Sequence, residues 1–427
     1  MDANRKTAYR TLMDVETQGA YSNLSLNENI KKMSPEDPAF TREIVYGTLK
    51  NKYLLDYFLK KYISRGFSKL KADVLTILRM GAYQIIFMDS VPGYAAVSET
   101  VNIAKKFARG REGFVNGVLR SLSRDRMKLK WPDRASFGSV AEYFSVRYSV
   151  NVWIAEELIT CMGEEGAERF LKFSAMTPEL SIRANVLKTD SEKLMEELRA
   201  GGFSVRRSEI SGRCLLVSGH GLLDTDAFRE GRFAVQDEAS CLCTDVLDPE
   251  PGEMVMDVCA APGGKTVSIG ELMGNEGSIT AFDIHEHKLK LIEGAAKRSG
   301  LTIVSLSEWD SSRLKEEYIE KADKVLCDVP CSGFGVMRRK PEIRYKDFFS
   351  IEELAETQYA ILETSSRYLK PGGTLVYSTC TVTDTENSLV TGRFIRNNEG
   401  FVIESEKQMG PDEGTDGFYI CRIKREA

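Results

Sequence analysis

The hydrophobic pattern of the first part of the chain is helical. Apolar residues recur at helical spacing, for example at Val74, Leu78 and Ile85. Such a stripe predicts amphipathic helices that pack their apolar faces together. The pattern stops at a Trp-Pro-Asp boundary signal at 131–133, and proline in such a segment marks a loop. We therefore place an all-α N-terminal domain at residues 1–140.

The pattern is mixed between residues 141 and 232. A helical stretch at 151–173 is followed by residues 180–186, which alternate apolar and polar positions like a strand. Two more strand-like stretches, at 203–210 and 214–217, follow a short helix closed by a Gly-Gly pair. This mixture predicts a small α+β domain at 141–232.

From residue 233 onward, short apolar strands alternate with amphipathic helices. The predicted strands are 254–258, 278–283, 302–306, 323–328 and 373–379. This rhythm predicts a mostly parallel, doubly wound sheet. We therefore place a Rossmann-like α/β domain at 233–427, so the predicted fold class is multidomain: all-α, small α+β, then α/β.

Charge is unevenly distributed along the chain. Residues 1–150 carry 25 Lys and Arg against 15 Asp and Glu, whereas residues 151–427 carry 33 against 48. A basic block on an acidic body indicates a polyanionic partner such as a nucleic acid, with a solvated helical surface as the alternative. Arginines in the strands of the middle domain can also contact phosphates, although exposed strand arginines more often only aid solubility. These arginines are Arg183, Arg206, Arg207 and Arg213.

Several classes of protein do not fit the composition. No apolar run approaches the roughly 20 residues of a membrane-spanning helix, and the first ten residues lack the apolar region of a secretory signal. Nine scattered cysteines fit reduced thiols in a cytoplasm. Three histidines and no paired C-x-x-C argue against a zinc site. We expect a cytoplasmic protein with no membrane partner and no metal.

The most informative segment is the run DVCAAPGGKT at 257–266, between a strand and a helix. Gly263 and Gly264 let the backbone approach a ligand closely, and the helix that follows offers free N–H groups. In a doubly wound sheet, ligands bind at the carboxyl ends of the strands, where the strand order reverses. This segment therefore predicts a cofactor pocket.

Acidic residues recur at the predicted strand ends. They are Asp257, Asp283, Asp310 and Asp328. At the second strand a carboxylate suits two ribose hydroxyls, and at the third it can accept a hydrogen bond from an adenine amino group. Each alone is more often a cap or turn residue, but four in register favour a nucleoside ligand.

A phosphate-binding P-loop is the main alternative for this segment, because GGKT ends like one. That motif requires a glycine five residues before Gly264, and Cys259 occupies this position. The G-x-G-x-x-G of a dinucleotide fold is also missing. A nucleoside with a carboxylate tail, such as S-adenosyl-L-methionine, fits better than a nucleotide.

Two cysteines lie at neighbouring strand ends. Cys331 follows the strand that ends at Asp328, and Cys380 ends the next. A thiolate that adds to carbon 6 of a pyrimidine activates carbon 5 toward a sulfonium methyl group. Asp328 is placed for a carboxyl role near ring nitrogen 3, where a proton-donating form would need a raised pKa that burial can supply. The residues alone do not rank the two cysteines.

The full set of motifs resembles the RNA cytosine-5 methyltransferase family, which includes bacterial 16S ribosomal RNA enzymes of the Sun type. The matching stretches are DVCAAPGGKT (257–266), FDIH (282–285), WD (309–310), DVPCSGFG (328–335) and STCT (378–381). Segments of the N-terminal domain, such as FVNGVLR at 114–120, resemble the NusB antiterminator fold. One departure is Val329, where the family usually has alanine; we expect no change in chemistry.

The resemblance implies a role for each motif residue. Cys380 is the nucleophile, Cys331 assists product release, and Asp328 acts beside them. The S-adenosyl-L-methionine site comprises Cys259, Ala260, Ala261, Pro262, Gly263, Gly264, Lys265, Asp283, Asp310 and Asp328. The basic loop 338–344 contacts RNA backbone, with a surface charge cluster as its alternative.

The resemblance also implies that the substrate is 16S ribosomal RNA and that the methylated base is the cytosine conventionally numbered 967. We expect the enzyme to be a monomer. Three alternatives stay open. The chain can act on another rRNA or tRNA cytosine, it can be a non-catalytic RNA-binding factor on a dead cofactor fold, or it can be a P-loop ATPase.

Overall fold

The computed structural model describes residues 2–63 and 66–427. The chain forms two compact units: Met1–Met176 with Met337–Phe348, and Thr177–Val336 with Phe349–Ala427. In the described ranges, no helix is long and apolar enough to cross a membrane. The predicted domain boundaries after residues 140 and 232 stay a prediction.

The first unit is helical, as predicted for the N-terminal part of the chain. Its helices α1 to α9 are Ala3–Gln18, Ser22–Met33, Pro38–Lys50, Lys52–Leu59, Ala72–Phe87, Gly93–Phe107, Glu112–Asp125, Val140–Tyr148 and Val152–Ala175. The predicted apolar face of α5 is buried: Val74 and Leu78 are at most 3% exposed and Ile85 is 1% exposed. Its polar Arg79 pairs with Asp56 of α4 at 2.8 Å, so the buried guanidinium has a counter-charge.

The basic segment 338–344 lies within this helical unit, and its predicted RNA role is wrong for two arginines. Arg344 is fully buried and donates to the Tyr148 carbonyl oxygen at 2.8 Å and to Ser174 Oγ at 2.7 Å. Arg338 is 9% exposed and stacks over the Phe173 ring at 4.4 Å. Buried groups cannot reach a phosphate backbone, so these two arginines stabilise the fold.

The second unit contains two sheets. Its helices α10 to α16 are Ser191–Ala200, Asp226–Arg229, Glu238–Leu247, Gly264–Leu272, Glu286–Ser299, Ile351–Ser366 and Ser388–Asn397. Its strands β1 to β11 are Leu180–Ala184, Ser204–Arg207, Cys214–Ser218, Phe233–Val235, Met254–Asp257, Ser278–Asp283, Val304–Glu308, Ala322–Asp328, Leu369–Thr379, Phe401–Met409 and Phe418–Arg425.

The smaller sheet is antiparallel, in the order β2-β3-β1-β4. Its core contains Ile182, Leu194 and Leu215, so β1 and β3 pack against α10. These elements match the predicted strands of the α+β region. The last strand, β4, begins at Phe233, just beyond position 232, and belongs to this sheet because it pairs with β1.

The larger sheet has seven strands, in the order β10-β11-β9-β8-β5-β6-β7. The five strands from β9 to β7 are parallel, and β10 and β11 are antiparallel. The chain runs from β5 outward to β7 and then returns to β8 on the other side of β5. The strand order therefore reverses between β5 and β8, and a ligand site is expected at their carboxyl ends.

Candidate active site

The predicted glycine turn lies at the reversal point between β5 and β8. It begins after Asp257, the last residue of β5, and ends where α13 begins at Gly264. Gly263 has φ +100°, a left-handed conformation that favours glycine. A Cβ at this position would lie 2.9 Å from the Ile292 backbone. Only glycine therefore lets this loop pass so close to α14.

Asp257 connects the end of β5 to α13, the helix that follows the turn. Its carboxylate is 1% exposed, and Oδ2 accepts a hydrogen bond from Thr266 Oγ1 at 2.6 Å. Burial raises the pKa of Asp257 to about 7. Its Oδ1 has no hydrogen-bond partner within residues 2–63 and 66–427.

Asp283 and Asp310 lie at the next two strand ends. Asp283, the last residue of β6, accepts from the Ala261 N–H at 3.3 Å and the His285 N–H at 3.0 Å. Asp310 accepts from Ser312, and this hydrogen bond lowers its pKa. A cavity of about 220 Å³ opens beside them, lined by Ile284, Glu308, Trp309, Asp310 and Arg313. Its walls combine apolar surface with carboxylates, as an adenosine would require.

Lys265 and Asp328 connect the glycine turn to the neighbouring strands. Lys265 Nζ lies 2.7 Å from Asp328 Oδ2, and Ser378 Oγ donates to Asp328 Oδ1 at 2.8 Å. Burial alone would lower the pKa of Lys265, but the carboxylate of Asp328 outweighs it and holds that pKa above its usual value. Both Asp328 oxygens thus act as hydrogen-bond acceptors. Because Lys265 and Thr266 already have carboxylate partners, the GGKT run does not resemble a nucleotide-binding P-loop in detail.

The two cysteines meet at this edge of the sheet. Cys331 Sγ and Cys380 Sγ lie 3.1 Å apart, and the Cys380 N–H donates to Cys331 Sγ at 3.3 Å. The hydrogen bond with Cys380, and then burial, raises the pKa of the Cys331 thiol well above its usual value. A raised pKa disfavours the thiolate form of Cys331 while Cys380 lies beside it, and a thiol is a weaker nucleophile than a thiolate.

Sequence reasoning missed the group that holds the Cys331 loop. Glu386 is fully buried, and its carboxylate accepts from the Ser332 N–H at 2.7 Å and from Thr383 Oγ1 at 2.7 Å. Gln358 Nε2 donates to it at 3.1 Å. A Thr-x-x-Glu spacing, here Thr383 to Glu386, was the available signal, because that pattern marks a helix start.

The arginines of the smaller sheet have protein partners. Arg183 fits neither of the two interpretations, phosphate contact or surface solubility, because it is fully buried and pairs with Glu271 at 2.9 Å. Arg213 pairs with Asp245 and is also largely buried. The exposed Arg206 and Arg207 form ion pairs with glutamates on the surface, where such pairs contribute little stability.

The residues present fit S-adenosyl-L-methionine. Asp283 accepts a hydrogen bond from the turn itself, and the cavity beside Trp309 has apolar and acidic walls. A glycine turn at the strand reversal and carboxylates at successive strand ends define a nucleoside-binding α/β fold of the methyltransferase class.

Comparisons with known proteins support this class. The family model of the 16S rRNA methyltransferase RsmB/F matches residues 244–424, and the NusB family model matches residues 2–124. The Bacillus subtilis protein named "Probable ribosomal RNA small subunit methyltransferase B" is 37% identical, covering 99% of this chain and 98% of its own. The Escherichia coli (strain SMS-3-5 / SECEC) "Ribosomal RNA small subunit methyltransferase B" is 30% identical, with the same coverage.

A solved structure has the same fold along the whole chain. The crystal structure of PH0851 superposes with a TM-score of 0.83 and 29% identity, covering 99% of this chain and 98% of that chain. This chain therefore belongs to the RsmB/F family of methyltransferases, whose methyl donor is S-adenosyl-L-methionine. The predicted fold class is confirmed: a NusB-like helical domain and a Rossmann-like methyltransferase domain.

Proposed function

We propose that this protein methylates carbon 5 of a cytosine in 16S ribosomal RNA, through a covalent bond between Cys380 and the base. The observation that carries the proposal is the pair of thiols 3.1 Å apart at the carboxyl edge of the sheet. The relatives named as small-subunit rRNA methyltransferases support the RNA class. By family resemblance the target is the cytosine numbered 967, and another rRNA or tRNA cytosine is the alternative.

The proposed chemistry assigns one task to each cysteine. S-adenosyl-L-methionine, when bound, supplies a methyl group on a positively charged sulfur. The Cys380 thiolate bonds to C6 of the ring, and this addition makes C5 nucleophilic. After methylation, Cys380 is bonded to carbon and no longer raises the pKa of Cys331, so Cys331 loses its proton to water and accepts the C5 proton. The C6–sulfur bond then breaks, and its electron pair returns to Cys380. The ring regains its double bond, and the thiolate is restored.

Asp328 is the proposed contact for the nitrogen edge of the cytosine. Lys265 and Ser378 hold its carboxylate from two sides, so its position is fixed before RNA binds. A carboxylate that accepts a hydrogen bond from the exocyclic amine selects cytosine over uracil, since uracil presents an oxygen at that amine position.

The cofactor assignments remain those given by the motif. Residues 259–265 form the turn under the cofactor, Asp283 binds the ribose hydroxyls, and Asp310 accepts from the adenine amino group. The strand geometry supports these assignments, because the strands that precede or carry these residues are parallel neighbours whose carboxyl ends share one edge of the sheet.

The helical unit offers a surface for RNA. A groove of about 760 Å³ lies between α6 and α7, where Tyr94 is 80% exposed and Lys105 and Arg120 are lining residues. Glu112 also lines it. An exposed aromatic ring matches base stacking, and the cations match phosphates.

Bisulfite sequencing of 16S RNA is the direct test. RNA from a strain lacking this protein should lose one protected cytosine, and wild-type protein should restore it, whereas the Cys380→Ala variant should not. Protection that persists in the deletion strain would contradict the proposal. Restoration by Cys380→Ala would instead remove the covalent step. We further propose that the enzyme acts as a monomer in the cytoplasm, where its substrate is made.

A further inference from the structure

Gln236 is a buried residue beside the glycine turn that no motif includes. It follows β4, its main-chain N–H donates to the Ser181 carbonyl oxygen at 3.2 Å, and it is 7% exposed. Its Oε1 accepts a hydrogen bond from Arg183 Nη1. A guanidinium has only donors, so the amide oxygen must face Arg183 and the amide nitrogen must point the other way.

The amide nitrogen of Gln236 is an unused donor next to the cofactor turn. Gln236 Nε2 has no hydrogen-bond partner in the ranges that the structure describes. A Cβ built on Gly264 would lie 3.9 Å from this nitrogen. Because Gly264 is the first residue of α13, the free N–H group lies beside the N-terminus of a helix, where an anion is favoured.

Arg183 fixes the orientation of this amide. Its Nε and Nη2 donate to the two carboxylate oxygens of Glu271 at 3.0 and 2.9 Å, and its Nη1 donates to the Gly264 carbonyl oxygen at 3.1 Å. The side chains of Arg183 and Glu271 are both 0% exposed. A bidentate, fully buried pair holds its geometry tightly, so the Gln236 amide is positioned before any ligand arrives.

We propose that Gln236 donates a hydrogen bond to the carboxylate tail of S-adenosyl-L-methionine, and that Arg183 is the positioning residue behind it. The carboxylate is the only anionic group of this cofactor. A buried amide N–H without an acceptor carries a desolvation cost, and a hydrogen bond from Gln236 to this carboxylate would remove that cost. The assignment concerns the cofactor and is independent of which RNA nucleotide is methylated.

The sharpest test is Gln236→Glu, because this change keeps an oxygen for Arg183 and replaces the donor nitrogen with a second, charged oxygen. Binding of two ligands to the full-length protein, without RNA, is measured by calorimetry. S-adenosylhomocysteine carries the amino-acid tail, and methylthioadenosine carries the nucleoside without it. We expect the variant to bind S-adenosylhomocysteine at least about tenfold more weakly, with methylthioadenosine binding unchanged.

A second variant separates lost attraction from added repulsion. Gln236→Ala removes the donor without adding charge, and we expect a smaller loss of S-adenosylhomocysteine affinity than for Gln236→Glu, again with methylthioadenosine unaffected. Equal weakening of both ligands in either variant would overturn the proposal, because it would show a general distortion of the turn. Unchanged S-adenosylhomocysteine affinity in Gln236→Glu would overturn it as well.

Discussion

The sulfur atoms of Cys331 and Cys380 lie 3.1 Å apart, although the two residues belong to different segments of the chain. Parallel pairing of β8 with β9 aligns Asp328 with Ser378, so both segments leave the sheet at the same edge. Lys265, at the start of α13, reaches Asp328 at this edge. The thiols and the glycine turn therefore lie at the same, carboxyl-terminal edge of the sheet. A methyl transfer from a cofactor at the turn to a base at the thiols requires this arrangement.

Replacement of Cys380 with alanine should abolish methyl transfer to RNA. Without the sulfur no bond to C6 forms, and C5 stays a poor nucleophile. Transfer of a labelled methyl group to 16S RNA measures the effect, and S-adenosylhomocysteine binding should stay unchanged. Buried Cys421 is the matched control, because Cys421→Ala should retain turnover. Turnover by Cys380→Ala would exclude Cys380 as the nucleophile.

Replacement of Cys331 with alanine should trap the protein on its RNA. The C6–sulfur bond would form normally, but removal of the C5 proton would be slowed because the neighbouring thiol is lost. A slowly migrating protein–RNA band on a denaturing gel is the expected result, and the double variant Cys331→Ala/Cys380→Ala should not give it. If Cys331→Ala yields free, methylated RNA at the normal rate, Cys331 has no role in release.

Replacement of Gly335 with alanine should damage the cysteine loop. A Cβ there would lie 1.9 Å from the Gly417 carbonyl oxygen and 2.8 Å from that of Cys380. Backbone atoms cannot yield as side chains do, so we expect a loss of roughly 2 kcal/mol or more in the free energy of unfolding. Gly294→Ala in α14 is the matched control, since nothing lies within 4 Å of its Cβ and alanine favours a helix by about 1 kcal/mol. Urea unfolding compares the two variants.

Asp257 should make stability depend on pH. Its pKa in the folded protein is about 7, above the usual 3.8, so the folded state binds a proton that the unfolded state has released. The free energy of unfolding should therefore fall as pH rises from about 4 through 7, by at most about 4 kcal/mol for this group. Asp257→Asn should remove this contribution. Urea unfolding at pH 5 and pH 8 gives the comparison, and parallel pH profiles of the two proteins would refute it.

Replacement of Arg120 with glutamine should weaken RNA binding by reducing phosphate contacts. We expect the slope of log affinity against log salt concentration to decrease in magnitude by about 1, with S-adenosylhomocysteine binding unchanged. Lys321→Gln is the control. Exposed Lys321 precedes β8 at the amino-terminal edge of the large sheet, whereas the cysteines lie at its carboxyl-terminal edge. Identical salt slopes for Arg120→Gln and Lys321→Gln would remove the groove between α6 and α7 from the RNA surface.

The parallel strands were predictable because each combines an apolar run with a turn signal. Strands β5 to β9 lie within a few residues of their predicted positions. The hairpin of β10 and β11 was missed because most side chains of β10 are exposed, so the strand lacks the continuous apolar pattern of a buried parallel strand.

The partners of charged residues were not predictable from spacing. Arg183 and Arg344 have the charge of RNA-binding residues, yet both are fully buried. The counter-charge of Arg183, Glu271, lies on helix α13, 88 residues further along the chain. Pairing of this kind depends on tertiary packing, and a single sequence does not reveal it. The positions of the motif residues were easier to predict, because they follow from the strand ends alone.

The Arg183–Glu271 pair has a consequence for chimeric enzymes. One partner comes from the four-stranded sheet, and the other from the helix that follows the cofactor turn. Removal of one member of a buried ion pair typically costs about 3–5 kcal/mol, so a foreign sheet without the arginine would leave a bare carboxylate inside the enzyme. The two segments must therefore be inherited, or exchanged between relatives, as a single block.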